Sequence, residues 1–274
     1  MTKTLAAMMA LIILGLPLFG RETITVKGSD TMVILAQRWA ERYMESRKDV
    51  VIQVTGGGSG TGISALINGT TDICNASRPM KPSERDKLKS RYGTRGVEIK
   101  AAMDGLSVYV HESNHLKELS LEQLKQIYTG KITNWGDVGG PNARIILYGR
   151  ENNSGTYVFF KDNVLEGDDY ASAVQSLPGT AAVVNAVTRD RNGIGYGGAA
   201  YGKGIREVRI KKDASSPAFA PSLTNIKSGD YPLSRFLYLY VRSRPSGELK
   251  EYVDWILSDD GQKIVSEVGY FPIR

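Results

Sequence analysis

One arrangement recurs three times in this chain and limits what it can fold into: a strand-like run, a turn of small hydroxyl and glycine residues, then a helix-like run. Thr23-Ile24-Thr25-Val26 leads through Gly28-Ser29-Asp30-Thr31-Met32 to the helical spacing of Leu35, Trp39 and Tyr43. Val50-Val51-Ile52-Gln53-Val54 leads through Gly56-Gly57-Gly58-Ser59-Gly60-Thr61-Gly62 to Ile63, Leu66 and Ile67. Ile145-Ile146-Leu147-Tyr148 runs through Gly149-Arg150-Glu151-Asn152-Asn153 to Ser154-Gly155-Thr156. A helix begun behind such a turn points unpaired N–H groups and the positive end of its dipole forward, which makes an anion site. Arg150 stands four residues before Ser154, where its fork can meet two oxygens of one oxyanion. One such turn alone is an ordinary N-cap beside a surface arginine. Repeated at strand ends, where parallel α/β sheets gather their ligands, the turns are expected to converge on a small anion.

The surrounding pattern supplies the scaffold. Residues 1–20 carry Lys3, an uncharged apolar run of 15 residues from Leu5 to Phe19, and Gly20 as a small residue for cleavage. This reads as a secretory signal peptide removed near Gly20, since a membrane span needs about 20 apolar residues. No cysteine near that point offers a lipid anchor. Beyond it, strand-like and amphipathic runs alternate, as in an α/β sheet. Asp72-Ile73-Cys74-Asn75-Ala76 is a short strand ending at Ser77-Arg78-Pro79, and Pro82-Ser83-Glu84 opens a charged helix to about Tyr92. Ser120-Leu121-Glu122-Gln123 is a capping box for the helix with Leu124, Ile127 and Tyr128. Val97 to His111, with Asp104-Gly105 at its middle, is too long and apolar for an edge strand and reads as a crossover. Phe236 to Val241 reads as the return. Helices around Tyr252 to Leu257 and Gly261 to Val268 close the chain. Two crossovers imply two lobes on a strand-like hinge with the ligand between them: residues 21–104 plus 238–274, and residues 105–237.

Other chemistries fit poorly. The formal net charge of +6 falls to +5 without Lys3, a mild attraction for anions. Cys74 is the only cysteine, so stability must come from the core, for which about 250 residues suffice. A phosphate-binding P-loop framed from Gly57 to Gly62 meets Ile63 where lysine is required. Gly60-Thr61-Gly62-Ile63-Ser64-Ala65 has dinucleotide spacing, but Asp72 comes too early and Arg78 falls near the position of the ribose-binding acid. Gly193-Ile194-Gly195-Tyr196-Gly197-Gly198 is better read as a glycine-rich strand under close contact. Ser59 lacks the last glycine of a nucleophile elbow. His111 and His115 lack a third metal ligand and read as solvated loop residues, so neither a metal nor another cofactor is expected. Aromatics are not interleaved with a basic run, so nucleic acid is not indicated.

Four separated stretches carry a resemblance: Leu124-Lys125-Gln126-Ile127-Tyr128-Thr129-Gly130-Lys131-Ile132-Thr133-Asn134-Trp135, Arg150 to Thr156, Gly193-Ile194-Gly195-Tyr196, and Ser258-Asp259-Asp260-Gly261-Gln262-Lys263 leading to Gly269-Tyr270-Phe271-Pro272. Over nearly the whole mature length the chain resembles the phosphate-binding proteins of bacterial ABC-type phosphate importers. The resemblance implies an α/β, two-lobed periplasmic binding protein fold of type II, hinged by two crossover strands. It implies a non-enzymatic, periplasmic, monomeric carrier that captures inorganic phosphate and delivers it to a membrane permease with its ATPase. Alternatives are a carrier of sulfate or another oxyanion, or an exported phosphatase or phosphoryl-transfer enzyme built on the same turns. Carried over by position, the ligand contacts fall on Thr31, Met32, Ser59, Arg150, Ser154, Gly155 and Thr156, with Met32 and Gly155 contributing backbone N–H groups. Arg78 and Asn152 stand where one form of the family has aspartates, whereas Ser77-Arg78 and Arg150-Glu151 resemble another branch. Arg78 is therefore expected at or near the ligand. Glu151 is expected to accept the phosphate's proton, with Asp30 as the alternative and an Arg150-orienting role as the competing reading of Glu151.

Overall fold

The computed structural model describes residues 21–274, and the expected signal peptide lies outside the described residues. In chain order the elements are β1 (Glu22–Gly28), α1 (Val33–Ser46), β2 (Val50–Thr55), α2 (Ser59–Asn68), β3 (Ile73–Ala76), α3 (Pro82–Tyr92) and β4 (Val97–Val110). There follow β5 (Glu118–Ser120), α4 (Leu121–Tyr128), β6 (Ile146–Arg150), α5 (Gly155–Asn163), β7 (Gln175–Leu177), α6 (Gly179–Arg189), β8 (Gly193–Gly198) and β9 (Arg206–Lys211). The chain closes with α7 (Leu223–Lys227), β10 (Ser234–Val241), α8 (Gly247–Ile256) and α9 (Asp259–Val268).

Strand periodicity and helix stripes build these elements as physical chemistry requires. On β1, Ile24 and Val26 alternate inward between more exposed neighbours, and on α1 the residues Leu35, Ala36, Trp39, Ala40 and Tyr43 form one buried stripe. That stripe is tied to the end of the chain, because Trp39 Nε1 donates to the Gly261 carbonyl at 2.8 Å and Tyr43 OH donates to Glu248 at 2.5 Å. The capping box at Ser120 and Gln123 forms as expected.

The sheet runs in the order β2-β1-β3-β10-β4-β8-β6-β7, with β9 and β5 continuing from β4. β1, β2 and β3 are parallel, and β6, β7 and β8 are parallel among themselves. Between these two groups lie β10 and β4, each antiparallel to its neighbours. β4 pairs with β10 from Val97 to Gly105 and with β8 from Leu106 to Val110, so it changes partner where Asp104-Gly105 marks the sequence. Buried apolar side chains gather accordingly. A first core draws on residues 24–102 and 237–270, and a second on residues 106–233. β8 is the packed glycine strand anticipated: a Cβ on Gly195 would lie 2.5 Å from Val183, and one on Gly197 would lie 2.4 Å from Thr180.

A buried ion pair sits where β4 changes partner. Arg235 Nε donates to Asp104 Oδ2 at 2.9 Å, Nη2 lies 2.8 Å from the same oxygen, and the Ala199 N–H donates to Oδ1 at 3.0 Å. Burial pushes the Asp104 carboxyl above the ordinary carboxylate value, while Arg235 pulls it back. Asp104→Ala leaves the guanidinium buried without its partner and is expected to cost about 3–5 kcal/mol in urea unfolding. A loss below about 1 kcal/mol would show that the pair is not stabilising this junction.

The sequence reading placed the last helices too late. α8 begins at Gly247 rather than near Tyr252, and α9 at Asp259, where Ser258 accepts from the Gly261 N–H. Polar first turns hid these starts, because their apolar stripes begin one turn inside.

Candidate oxyanion-binding site

β6 delivers Arg150 and α5 starts five residues later, with an aromatic platform fixing the two together. The Phe160 and Tyr196 rings stack at 4.0 Å, Tyr128 meets Phe160 edge-on at 4.8 Å, and Tyr128 OH donates to the Tyr148 carbonyl on β6 at 3.1 Å. Ser154 is the N-cap: its Oγ accepts from the Thr156 and Tyr157 N–H groups at 3.2 and 3.4 Å. The positive end of α5 and the Arg150 guanidinium therefore occupy the same side of a cleft.

Turns from the first core face them. Thr31 Oγ1 and Thr156 Oγ1 are 2.9 Å apart across the cleft. Ser29 Oγ donates to Ser77 Oγ at 3.0 Å, Ser59 Oγ lies 3.4 Å from Ser77 Oγ, and the Ser77 N–H donates to Ser59 Oγ at 3.0 Å. These hydroxyls are buried. Gly155 packs against them so closely that a Cβ there would lie 2.3 Å from Ser59 Oγ and 2.7 Å from Ser77 Oγ. Asn153 clamps the rim: its carbonyl accepts from the Gly60 N–H at 2.9 Å, and its Nδ2 donates to the Gly57 carbonyl at 3.1 Å and Thr61 Oγ1 at 3.3 Å. Gly58, at φ 90°, permits this approach, since a Cβ would lie 2.7 Å from the Asn153 carbonyl oxygen.

Arg150 is almost wholly buried and held from both sides. Nη1 donates to Thr180 Oγ1 at 2.8 Å, and Nη2 donates to Asp30 Oδ2 at 2.8 Å. The other Asp30 oxygen accepts from the Gly57 N–H at 2.7 Å, and the Asp30 carbonyl accepts from Tyr201 OH at 2.8 Å. Burial pulls the guanidinium below its ordinary pKa, and Asp30 opposes that shift. Tyr201 is pushed up to about 12, chiefly by burial, so it remains a hydrogen-bond donor. Arg150 Nε is buried and has no hydrogen-bond partner among the described residues.

A family model for the PBP superfamily domain matches residues 19–260. The phosphate-binding protein PstS of Pseudomonas aeruginosa is 35% identical over 263 residues, covering 90% of this chain and 81% of that protein. PstS of Staphylococcus epidermidis is 33% identical over 254 residues, covering 89% and 77% respectively. This chain belongs to the PstS family of the PBP superfamily. Among solved structures, a phosphate ABC transporter substrate-binding protein of Clostridium perfringens with bound phosphate superposes with a TM-score of 0.82 at 29% identity, covering 92% of this chain and 100% of that one. An ABC-type phosphate transport receptor of Vibrio cholerae gives 0.73 at 28% identity, covering 90% and 99%. The mixed α/β fold with its curled sheet is that of the periplasmic binding proteins.

Within this PstS-family site, Thr31, Ser59, Arg150, Ser154, Gly155 and Thr156 come together. Met32 is buried beside them, but its N–H donates to the Ser29 carbonyl at 3.0 Å, closing the turn. Arg78 makes none of the hydrogen bonds that join the cluster. Its Nη1 and Nη2 grip the Glu84 carboxylate at 2.8 and 2.7 Å, and Nη1 also donates to the Pro79 carbonyl at 2.8 Å. Glu84 lies six residues on, in the first turn of α3, and this local fork occupies both terminal nitrogens of Arg78. Glu151 is exposed, in an outer depression with Asn152, Asn153, Tyr157 and Ser176. Asp30, the alternative, is the carboxylate that reaches Arg150. Ser29, Ser77, Asn153 and Thr180 were missed. Ser77 carried a readable signal, because it ends β3 just as the other turns end their strands.

Proposed function

We propose that this protein is an exported, non-enzymatic carrier that captures inorganic phosphate between two lobes and hands it to the permease of an ABC importer. The lobes correspond to residues 21–104 plus 238–274 and residues 105–237, with β4 and β10 as the connection. The observation that carries this reading is the buried Arg150, with an unpartnered Nε, among hydroxyls supplied from both sides of the cleft. The names of the relatives and the phosphate bound in the Clostridium perfringens structure support it.

Capture follows from this chemistry. Serine and threonine hydroxyls that bond one another across the cleft can turn to a tetrahedral oxyanion instead, and the α5 N-terminus and Arg150 supply positive charge. Hydrogen bonds to a charged group contribute about 1.5–3 kcal/mol each, so binding gains most when both sides engage the same anion. Ligand therefore favours the closed form through contacts that the open form lacks.

Calorimetric titration of dialysed protein with phosphate is the direct test, and heat release at a stoichiometry of one is expected. No binding at millimolar phosphate would reject the reading. In small-angle scattering the radius of gyration should fall when phosphate is added to protein shown to be free of it. Superimposable profiles would instead describe a rigid binding module.

A further inference from the structure

On the carrier reading, on which this inference rests, the protein meets its permease at a membrane, and the distribution of its charge bears on how it reaches that surface. Residues 81–100, which span α3 and the start of β4, hold seven Lys and Arg against three Asp and Glu, whereas the rest of residues 21–274 holds 27 against 26. The positive excess is therefore concentrated on one helix and its flank. Each acid in that stretch is already taken by an arginine: Glu84 by Arg78 at 2.7 Å, Asp86 by Arg95 at 2.6 Å and Glu98 by Arg85 at 2.5 Å. What remains is Lys81, Lys87, Lys89, Arg91 and Lys100, all exposed and none in an ion pair among the described residues. By contrast, α1 carries its exposed charges as opposite pairs, Arg38 with Glu41 and Arg42 with Glu45.

Contacts with aromatic rings place these cations on one side of the sheet. Lys100 Nζ lies 4.1 Å from the centre of the Phe236 ring, Arg85 lies 5.4 Å from that of Tyr240, and Arg91 and Arg242 lie 5.8 and 5.9 Å from that of Tyr92. Phe236 and Tyr240 stand four residues apart on β10, so they share a face. Of the first three turns of α3 only Leu88 is buried, which leaves the lysines outward. The face lacks what two kinds of partner require. A protein interface has an apolar centre within a polar rim, and the large apolar side chains most exposed among the described residues, Ile34 and Leu223, stand on α1 and α7. Single-stranded nucleic acid stacks its bases on open aromatic rings, and here the rings are covered by the cations themselves.

We propose that α3 and the start of β4 form an electrostatic landing face for anionic phospholipid headgroups, which concentrates the carrier at the bilayer that holds its permease. Cations without an apolar centre or open rings suit a surface of diffuse negative charge. Each Lys or Arg beside such a surface strengthens adhesion about fivefold, and the attraction fades within a Debye length. With Leu88 buried, α3 has no aliphatic side chain to insert into the bilayer. Adhesion is therefore reversible and sensitive to salt, and the ligand cleft takes no part in it.

Co-sedimentation of residues 21–274 with vesicles of phosphatidylcholine and phosphatidylglycerol tests this. Binding is expected in about 0.1 M NaCl, at least about tenfold weaker in about 0.5 M, and absent from vesicles of phosphatidylcholine alone. Lys87→Glu combined with Lys89→Glu should weaken vesicle binding at least about 30-fold and leave phosphate affinity and the thermal transition unchanged. Arg38→Glu combined with Arg42→Glu makes the same change in net charge on α1 and should weaken vesicle binding less than about fivefold. Equal losses in the two variants would show that total charge acts rather than this face, and would overturn the assignment. So would the absence of wild-type binding to the anionic vesicles, tighter binding to a single-stranded oligonucleotide at the same salt, or displacement from vesicles by about 1 mM phosphate, which would put the headgroups in the cleft. Phosphate binding without vesicle binding would reject this inference alone, whereas vesicle binding without phosphate binding would reject the carrier reading and retain the face.

Discussion

Arg150→Ala is expected to weaken phosphate binding by at least about 100-fold, because it removes a full charge and two or more charge-assisted hydrogen bonds of about 1.5–3 kcal/mol each. The loss also reaches beyond the ligand: Asp30 and Thr180 lose the partner that each holds at 2.8 Å. Arg150→Lys keeps the charge but not the fork, so it should fall between the variant and the wild type. Ser154→Ala should cost less than Arg150→Ala, since the N–H groups at the start of α5 remain. Calorimetry with phosphate reads all three. A change below about threefold for Arg150→Ala would remove this arginine from the binding site.

Gly155→Ala should produce the second large effect, through shape rather than charge. The added methyl would meet Ser59 Oγ at 2.3 Å and Ser77 Oγ at 2.7 Å, distances at which something must move. Ser59 is held at the start of α2 and Ser77 at the end of β3, both on the opposite side of the cleft from α5. The overpacking cost of about 1–3 kcal/mol therefore falls on the closed form and not on either core by itself. Phosphate affinity should drop about 10- to 100-fold, while the thermal transition measured without phosphate stays within about 2 °C of the wild type. Unchanged affinity would mean that the cleft closes less tightly around the ligand than Gly155 implies.

What the sequence could disclose followed its local periodicities. The strand, turn and helix runs around Thr31, Ser59 and Ser154 were legible because caps, glycines and apolar spacing act over a few residues. The partner change within β4 was legible too, because a central strand that pairs with both halves of one sheet must be long and apolar. The surroundings of Arg78 and Glu151 were not legible, for the opposite reason. Whether a charged side chain faces a ligand depends on its nearest competing ion, and Glu84, whose carboxylate also accepts from the Lys81 N–H at the start of α3, captures Arg78 in a fork that composition does not disclose. Asp30 lies 120 residues from Arg150, and no spacing rule joins them. Their pairing exists only because β1 and β6 bring their carboxyl ends to one cleft.

The place of β10 in the sheet also sets an order on how this chain can acquire its structure. β10 lies between β3 and β4, and α8 and α9 pack against α1, so the first core needs residues 234–268 before it is complete. The second core, from residues 106–233, is continuous in sequence. During vectorial synthesis the middle of the chain therefore has all of its own partners before the beginning does. Until β10 arrives, β1, β2 and β3 wait as a partial sheet with an unpaired edge, the condition in which nascent chains are most exposed to association with one another.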